Sequence, residues 1–259
     1  MLGDIHFVSY AAGQFRQNIE KNLWFVNTFI KPKSSHVFTD DDLKKSEFYH
    51  KNKVLLDEPR GAGYWAWKPY FILQQLQKIP REDILIYQDC GVGYRYKNFI
   101  TPTWLIAFAK KHSFIPGIYI PERGINKRWT KRSVLTALNC DSELYWNTPQ
   151  VQATLSFWKH DDKSIAFLTE WLSLCRQKQL IDDSADDAIT NYDEFIEHRH
   201  DQSLLTLLAV KHHAAVPNNA DETVMVNKSI SMIELHFRAK KSFFYRLYLS
   251  ALLFIQKLK

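Results

Sequence analysis

The chain has 259 residues, 46% hydrophobic and 14% aromatic, with 34 Lys and Arg against 28 Asp and Glu, for a net charge of +6. That is enough apolar chain for a globular protein with one large core or two small joined ones. Its three cysteines (Cys90, Cys140 and Cys175), odd in number and widely spaced, exclude a disulfide framework and a CxxC metal site.

Residues 1–13, "MLGDIHFVSYAAG", lack a cationic start and turn polar at once, so they read as a first strand rather than a targeting peptide. With the cysteine usage, this predicts a cytoplasmic protein. The strand is expected over Ile5 to Ala11, a helix over Phe15 to Lys31, and a short strand with an acidic end in "SHVFTDDDL". After a turn around Pro59 to Gly63, "WAWKPYFILQQLQKI" predicts a helix that stops before Pro80. "REDILIYQDCG" then gives a strand of about six residues, bounded by charge and glycine. Strands separated by helical segments predict a mostly parallel α/β sheet with helices on both faces.

Farther along, "TPTWLIAFAKKH" and "TKRSVLTALN" read as helices, "IPGIYIPE" as an extended piece and "VQATLSFWK" as a strand. "SIAFLTEWLSLCRQKQL" and "DQSLLTLLAVKH" carry apolar residues at helical spacing. No repeat or linker divides the chain, so residues 1–233 are expected to form one domain, followed by a basic appendage at 234–259. That appendage holds five of the six net positive charges, with Lys240, Lys241 and Arg246 around Phe243, Phe244 and Tyr245. Such a helix suits an anionic membrane surface, and docking on the domain or on a second subunit is the alternative. Its apolar run is too short to span a bilayer. The near-neutral body argues against nucleic acid as a partner, and nothing in the sequence fixes an oligomeric state.

Four groups can carry chemistry. Asp89 leaves an apolar strand where α/β sheets bind ligands, and it either serves a divalent ion or ribose hydroxyls or simply ends the strand. Neighbouring Cys90 reads as a packed thiol. In "RGAGYWAWKPYFI", Gly61 and Gly63 permit a tight backbone, while Tyr64, Trp65 and Trp67 crowd beside Lys68 at a helix start. These rings suit a base or a sugar face and the lysine suits an anion, although the same group can wedge a helix against the sheet. The glycines match neither a dinucleotide fingerprint nor a phosphate loop.

"NKRWTKRSVL" gathers Lys127, Arg128, Lys131 and Arg132 near a helix start, either as a diphosphate site or as a solvated surface. In "EHRHDQSLLTLLA", Asp201 can cap a helix, act as a base toward an acceptor hydroxyl, or do both. His200 beside it is either a metal ligand or a hydrogen-bonded imidazole. Asp182, Asp183, Asp186 and Asp187 lack the spacing of a calcium loop and read as a solvated connection.

In order, the blocks Gly61 to Ile72, Tyr87 to Gly91, Trp129 to Leu135, "PQVQATLSFWK" and His198 to Leu208 resemble bacterial glycosyltransferases of capsule, O-antigen and other surface-polysaccharide synthesis. The resemblance covers roughly residues 4 to 215. It implies a GT-A-like fold, a nucleotide-diphosphate sugar donor with a UDP-sugar favoured, and hexosyl transfer to a glycan or polyprenyl-linked acceptor. It also implies Mn²⁺ or Mg²⁺ and a peripheral position at the inner face of the cytoplasmic membrane.

On that resemblance Asp89 takes the first place of an Asp-x-Asp metal motif, with Gly91 standing where the second carboxylate is expected. Tyr64, Trp65, Trp67, Lys68, Lys127, Arg128, Lys131 and Arg132 are placed on the donor side with Asp89, and His200, Asp201 and Gln202 on the acceptor side. Asp201 and Asp89 are the expected catalytic carboxylates. A non-catalytic polysaccharide-binding or assembly protein is the alternative.

Overall fold

The computed structural model describes residues 3–90, 108–119, 123–185 and 188–217. The basic segment 234–259, Gly91, Asp186, Asp187 and most of "TPTWLIAFAKKH" lie outside the described residues.

Seven strands are described: β1 (Ile5–Ala11), β2 (Ser34–Thr39), β3 (Ile84–Gln88), β4 (Phe114–Ile115), β5 (Ile118–Tyr119), β6 (Val151–Gln152) and β7 (Leu155–Lys159). Five of them form the main sheet in the order β2-β1-β3-β7-β4, and β5 pairs with β6 in a small second sheet. β2, β1 and β3 are parallel neighbours, and β7 runs antiparallel to both β3 and β4. The fold is therefore α/β with a mixed, largely parallel sheet flanked by helices.

Side chains on successive strand residues point to opposite faces, and each face of the sheet has its own apolar layer. Val8, Tyr10, Leu85 and Tyr87 join the helices Trp67–Leu76, Asp162–Cys175 and Asp201–Lys211 through Phe71, Trp171 and Leu205. Phe7, Ile84 and Ile86 pack with Val26 and Ala109 on the other face. β3 is buried along its whole length because both faces are covered. At the amino ends of the strands, His6 bridges Ser34 Oγ at 2.7 Å and Asp83 Oδ2 at 2.9 Å, which ties β1 to β2 and to the start of β3.

Three sequence expectations need correction. Phe15 to Lys31 is not one α-helix: a 3₁₀ segment (Gly13–Asn18), an α segment (Ile19–Phe25) and a π segment (Val26–Ile30) follow one another. Thr28 Oγ1 donates to the Trp24 carbonyl at 2.6 Å, a side-chain bond that competes with the helical ladder.

The acidic end of β2 is itself a helix, Asp40–Lys45, started by a reciprocal Thr39/Asp42 cap. Finally, "VQATLSFWK" breaks at Ala153 and Thr154, so that β6 and β7 enter different sheets.

Candidate functional site

A cavity of about 610 Å³ opens beyond the carboxyl ends of β1 and β3, lined by Tyr10, Phe15, Trp65, Trp67, Asp89 and Cys90 together with the Pro59–Ala62 turn. Open α/β sheets bind ligands at this end of their strands. Its wall depends on the glycines. Gly61 has φ +60°, and a Cβ there would lie 2.4 Å from the Trp65 ring; at Gly63, with φ +89°, it would meet the Leu56 backbone at 2.7 Å.

Tyr64 and Trp65 follow with positive φ of their own, 52° and 62°. That bend turns Trp65 into the cavity. Trp67 then starts its helix with Nε1 donating to the Gly61 carbonyl at 2.8 Å, while its ring stacks on Tyr10 at 3.7 Å between centroids.

Behind this wall lies an ionic cluster. Lys68 Nζ stands 3.2 Å from Asp89 Oδ1 and 3.3 Å from Asp201 Oδ2, and it donates to the Ala153 carbonyl at 3.1 Å. The lysine side chain is 3% exposed, Asp201 5% and Asp89 24%, so Asp89 is the carboxylate that faces the cavity. Tyr87, two residues before Asp89, donates its hydroxyl to Asp89 Oδ1. The ammonium approaches Asp201 Oδ2 close enough for an ion pair but off the hydrogen-bond axis, leaving that oxygen buried without a hydrogen bond among the described residues.

Three backbone groups complete the enclosure. Asp89 N–H donates to the Thr154 carbonyl at 2.9 Å, Ala153 N–H donates to Gln202 Oε1 at 3.2 Å, and the Asp201 carbonyl accepts from Trp171 Nε1 at 3.0 Å.

Burial sets the acid–base character of the cluster. It pushes the Asp201 carboxyl up to about 6; Lys68 pulls the other way, and Asp89 adds to the rise. Burial also opposes the Lys68 ammonium, but Asp201 and Asp89 together outweigh it and its pKa stands above the ordinary lysine value. The Tyr87 hydroxyl is held well above its usual range by burial and by the Asp89 charge. This arrangement provides a fixed carboxylate at a cavity wall and, behind it, a second acid whose charge changes near neutrality.

The other sequence candidates fall in two places. His200 lies behind Trp65, stacked at 5.5 Å and 27°, with Nδ1 donating to the Ile181 carbonyl at 2.7 Å and backbone angles of φ 55° and ψ −123°. Tyr64 packs against the same imidazole at 5.0 Å, and burial holds that imidazole below its usual pKa. Gln202 is tied to Gln150 and Ala153.

The four cations of residues 127–132 are not brought to the cavity wall. Lys127 pairs with Glu194 at 2.6 Å, and Arg132 pairs with Asp141 at 3.0 Å beneath Tyr192. Arg128 sits in the short 3₁₀ turn Asn126–Arg128, its carbonyl accepting from Ile196 N–H at 2.8 Å. Lys131 is buried, with Nζ donating to the Gln179 carbonyl, Asp182 Oδ1 and the Ser184 carbonyl at 3.2, 3.2 and 2.9 Å.

The helix expected near Thr130 starts at Arg132 and is six residues long, and Lys131 turns inward before it. Asp182, expected in a solvated loop, is buried as the partner of Lys131. Sequence reasoning missed Tyr10, Tyr87 and the Ala153–Thr154 peptide. Only Tyr87 had a local signal, since residues two apart on a strand share a face.

No group of three or more His, Cys, Asp or Glu able to hold a metal occurs among the described residues, and the Lys68 ammonium lies between Asp89 and Asp201. No described helix is long and apolar enough to cross a membrane.

No protein-family model matches the chain, and no curated protein matches it. Among solved structures it is similar to mouse xyloside xylosyltransferase 1 in its apo form, with 9% identity, a TM-score of 0.41, and coverage of 83% of this chain and 86% of that one. A likeness of that size transfers no residue role and no substrate.

Proposed function

We propose that the chain is a glycosyltransferase of GT-A-like architecture that moves a hexosyl group from a nucleotide-diphosphate sugar, a UDP-sugar favoured, to a hydroxyl of a glycan or polyprenyl-linked acceptor. The reading is carried by one observation: a cavity at the carboxyl ends of β1 and β3 has aromatic walls and a single fixed carboxylate, Asp89, backed by Lys68 and Asp201. The cavity is of the size that small-molecule sites occupy. Trp65, half-buried at the cavity and backed by the Trp67–Tyr10 stack, offers a flat face to a base or sugar, and Asp89 accepts from hydroxyl groups of the bound donor. Asp201, with a pKa near that of a working base, belongs to the same ionic unit. The segment 234–259 completes the proposal as an anionic-membrane contact that keeps the protein peripheral at the inner face of the cytoplasmic membrane.

Thermal stabilisation by UDP, GDP, CMP and their sugars, with Mn²⁺, Mg²⁺ or EDTA in parallel arms, tests the donor class. Stabilisation by one nucleotide sugar, with transfer that falls by roughly 100-fold or more in Asp89→Asn, is the expected result. Stabilisation by oligosaccharide and by no nucleotide replaces the proposal with a non-catalytic polysaccharide-binding protein.

A further inference from the structure

Lys68 stands where an anion-binding lysine is expected, at the first turn of the Trp67–Leu76 helix and beside a ligand-sized cavity. Its surroundings assign it other work. The ammonium is 3% exposed and is enclosed by two carboxylates and one carbonyl. The rings of Tyr87 and Trp67 lie 5.5 and 5.9 Å away. The ammonium is hydrogen-bonded to the Ala153 carbonyl and lies between the two carboxylates at 3.2 and 3.3 Å. Meeting a phosphate would require this buried cation to leave the carboxylates that enclose it.

The three oxygens come from parts of the chain far apart in sequence. Asp89 follows β3, Ala153 joins β6 to β7, and Asp201 opens the last described helix. The backbone repeats the connection, since the Thr154 carbonyl accepts from Asp89 N–H and Ala153 N–H donates to Gln202. Lys68 therefore holds the strand end, the sheet junction and the helix start in one geometry. Two carboxylates brought this close repel unless a cation stands between them.

The geometry points to Lys68 as the positioning residue of the site: its ammonium never touches the donor, and it clamps Asp89 at the cavity wall against Asp201 behind it. This inference rests on the proposed transfer reaction for its kinetic consequences and on the ion cluster alone for its stability consequences, so the two can fail separately.

The test is a cycle of Lys68→Met, Asp201→Asn and the double variant in the full chain, read first by thermal unfolding without ligand. Removing the ammonium alone leaves the buried Asp201 carboxyl beside the partly exposed Asp89 with no cation between them, and a loss of roughly 10 °C in melting temperature is expected. Asp201→Asn in the same chain removes one of those carboxyls and should restore at least half of the loss. If Lys68→Met does not accumulate as folded protein, a folded double variant supports the clamp. A double variant no more stable than Lys68→Met, or equally unfolded, overturns it.

The second reading uses the nucleotide sugar that stabilises the wild type. Lys68→Met should lower kcat by about 100-fold, the cost of a misplaced reacting group, while donor Kd changes less than about threefold. Introduced into Asp89→Asn it should cost little more, because its target is already gone. A tenfold or larger loss of donor affinity, repeated in the Asp89→Asn background, means that Lys68 meets the donor itself and ends the proposal. Binding of no nucleotide sugar at all leaves the unfolding cycle standing and sinks the transferase reading instead.

Discussion

Two buried lysines in this protein each meet an aspartate, and they differ in what else surrounds them. Lys131 faces one carboxylate, Asp182, and two neutral carbonyls, at 2.9 to 3.2 Å. Ser184 donates to the same carboxylate from its backbone N–H at 3.1 Å and from its hydroxyl at 2.5 Å. Charge balances, every partner is local to residues 179–184, and Asp182 is held below the ordinary carboxylate value by Ser184 and Lys131 despite burial. Lys68 faces two carboxylates from distant segments, leaves one of them open to a cavity, and does not hold the other below its ordinary value. Both sites border a cavity, Lys131 with Gln179 and Ser184 on one of about 510 Å³, so the difference between them lies in charge balance. A balanced pair with local partners is how a fold keeps a buried cation, and an excess of carboxylate over cation keeps chemistry available at some expense of stability.

The largest expected effect lies at the balanced pair. Lys131→Met strands Asp182 and the Gln179 and Ser184 carbonyls, so unfolding by urea should show a loss of about 4 kcal/mol. The protein that remains folded should bind donor as the wild type does. A stable Lys131→Met chain that has lost donor binding would break the comparison, because Lys131 would then serve a ligand after all.

The two aspartates should also respond to pH with opposite sign. Asp201 has a folded pKa of about 6 against an ordinary 3.8, so the folded state holds its proton more tightly than the unfolded chain. Its contribution to stability is complete below 3.8 and is lost as pH rises through 6, about 3 kcal/mol in all. Asp182, with its pKa lowered, contributes stability above 3.8 that is lost as pH falls through its folded value.

Unfolding from pH 3 to 8 of the wild type against Asp201→Asn and Asp182→Asn isolates each aspartate, because differences cancel the shared background. That background includes His198, which burial lowers to about 3 and which favours the fold as pH rises toward its ordinary 6.5. Slopes of the same sign for the two aspartates would remove the distinction between the lysine sites. Catalysis that needs ionised Asp201 should in turn rise through pH 6.

The same contrast explains what was legible in the sequence. β1, β3 and the Trp67 helix were readable because apolar runs and a proline at the first turn are local signals, and Asp89 followed from where β3 ends. The break in "VQATLSFWK" was not readable: no Gly or Pro marks it, and Lys68, Asp89 and Gln202 impose it through Ala153 and Thr154. The sequence points Lys68 and Lys131 toward an anionic ligand, and in the fold each meets carboxylates of the protein, 21 and 133 residues along the chain from Lys68 and 51 from Lys131. Periodicity and propensity carry no information at that separation. The Phe15 to Lys31 helix was misjudged for the opposite reason, because Val26, Thr28 and Ile30 weaken the α conformation locally.

The smallest expected effects sharpen the boundary of the site. Lys127 and Arg132 carry their charges on carboxylates with partly exposed surroundings: Glu194 is 51% exposed, and Arg132 is 41% exposed beside Asp141. Exposed pairs of this kind are screened by water and salt. Lys127→Ala and Arg132→Ala should therefore leave donor affinity within about twofold of wild type at every salt concentration. A diphosphate held by these side chains would instead lose affinity in each variant, with the loss shrinking as salt rises. That outcome would extend the site from Asp89 to the 126–132 segment, and the balanced Lys131 pair would become its floor rather than a separate structural element.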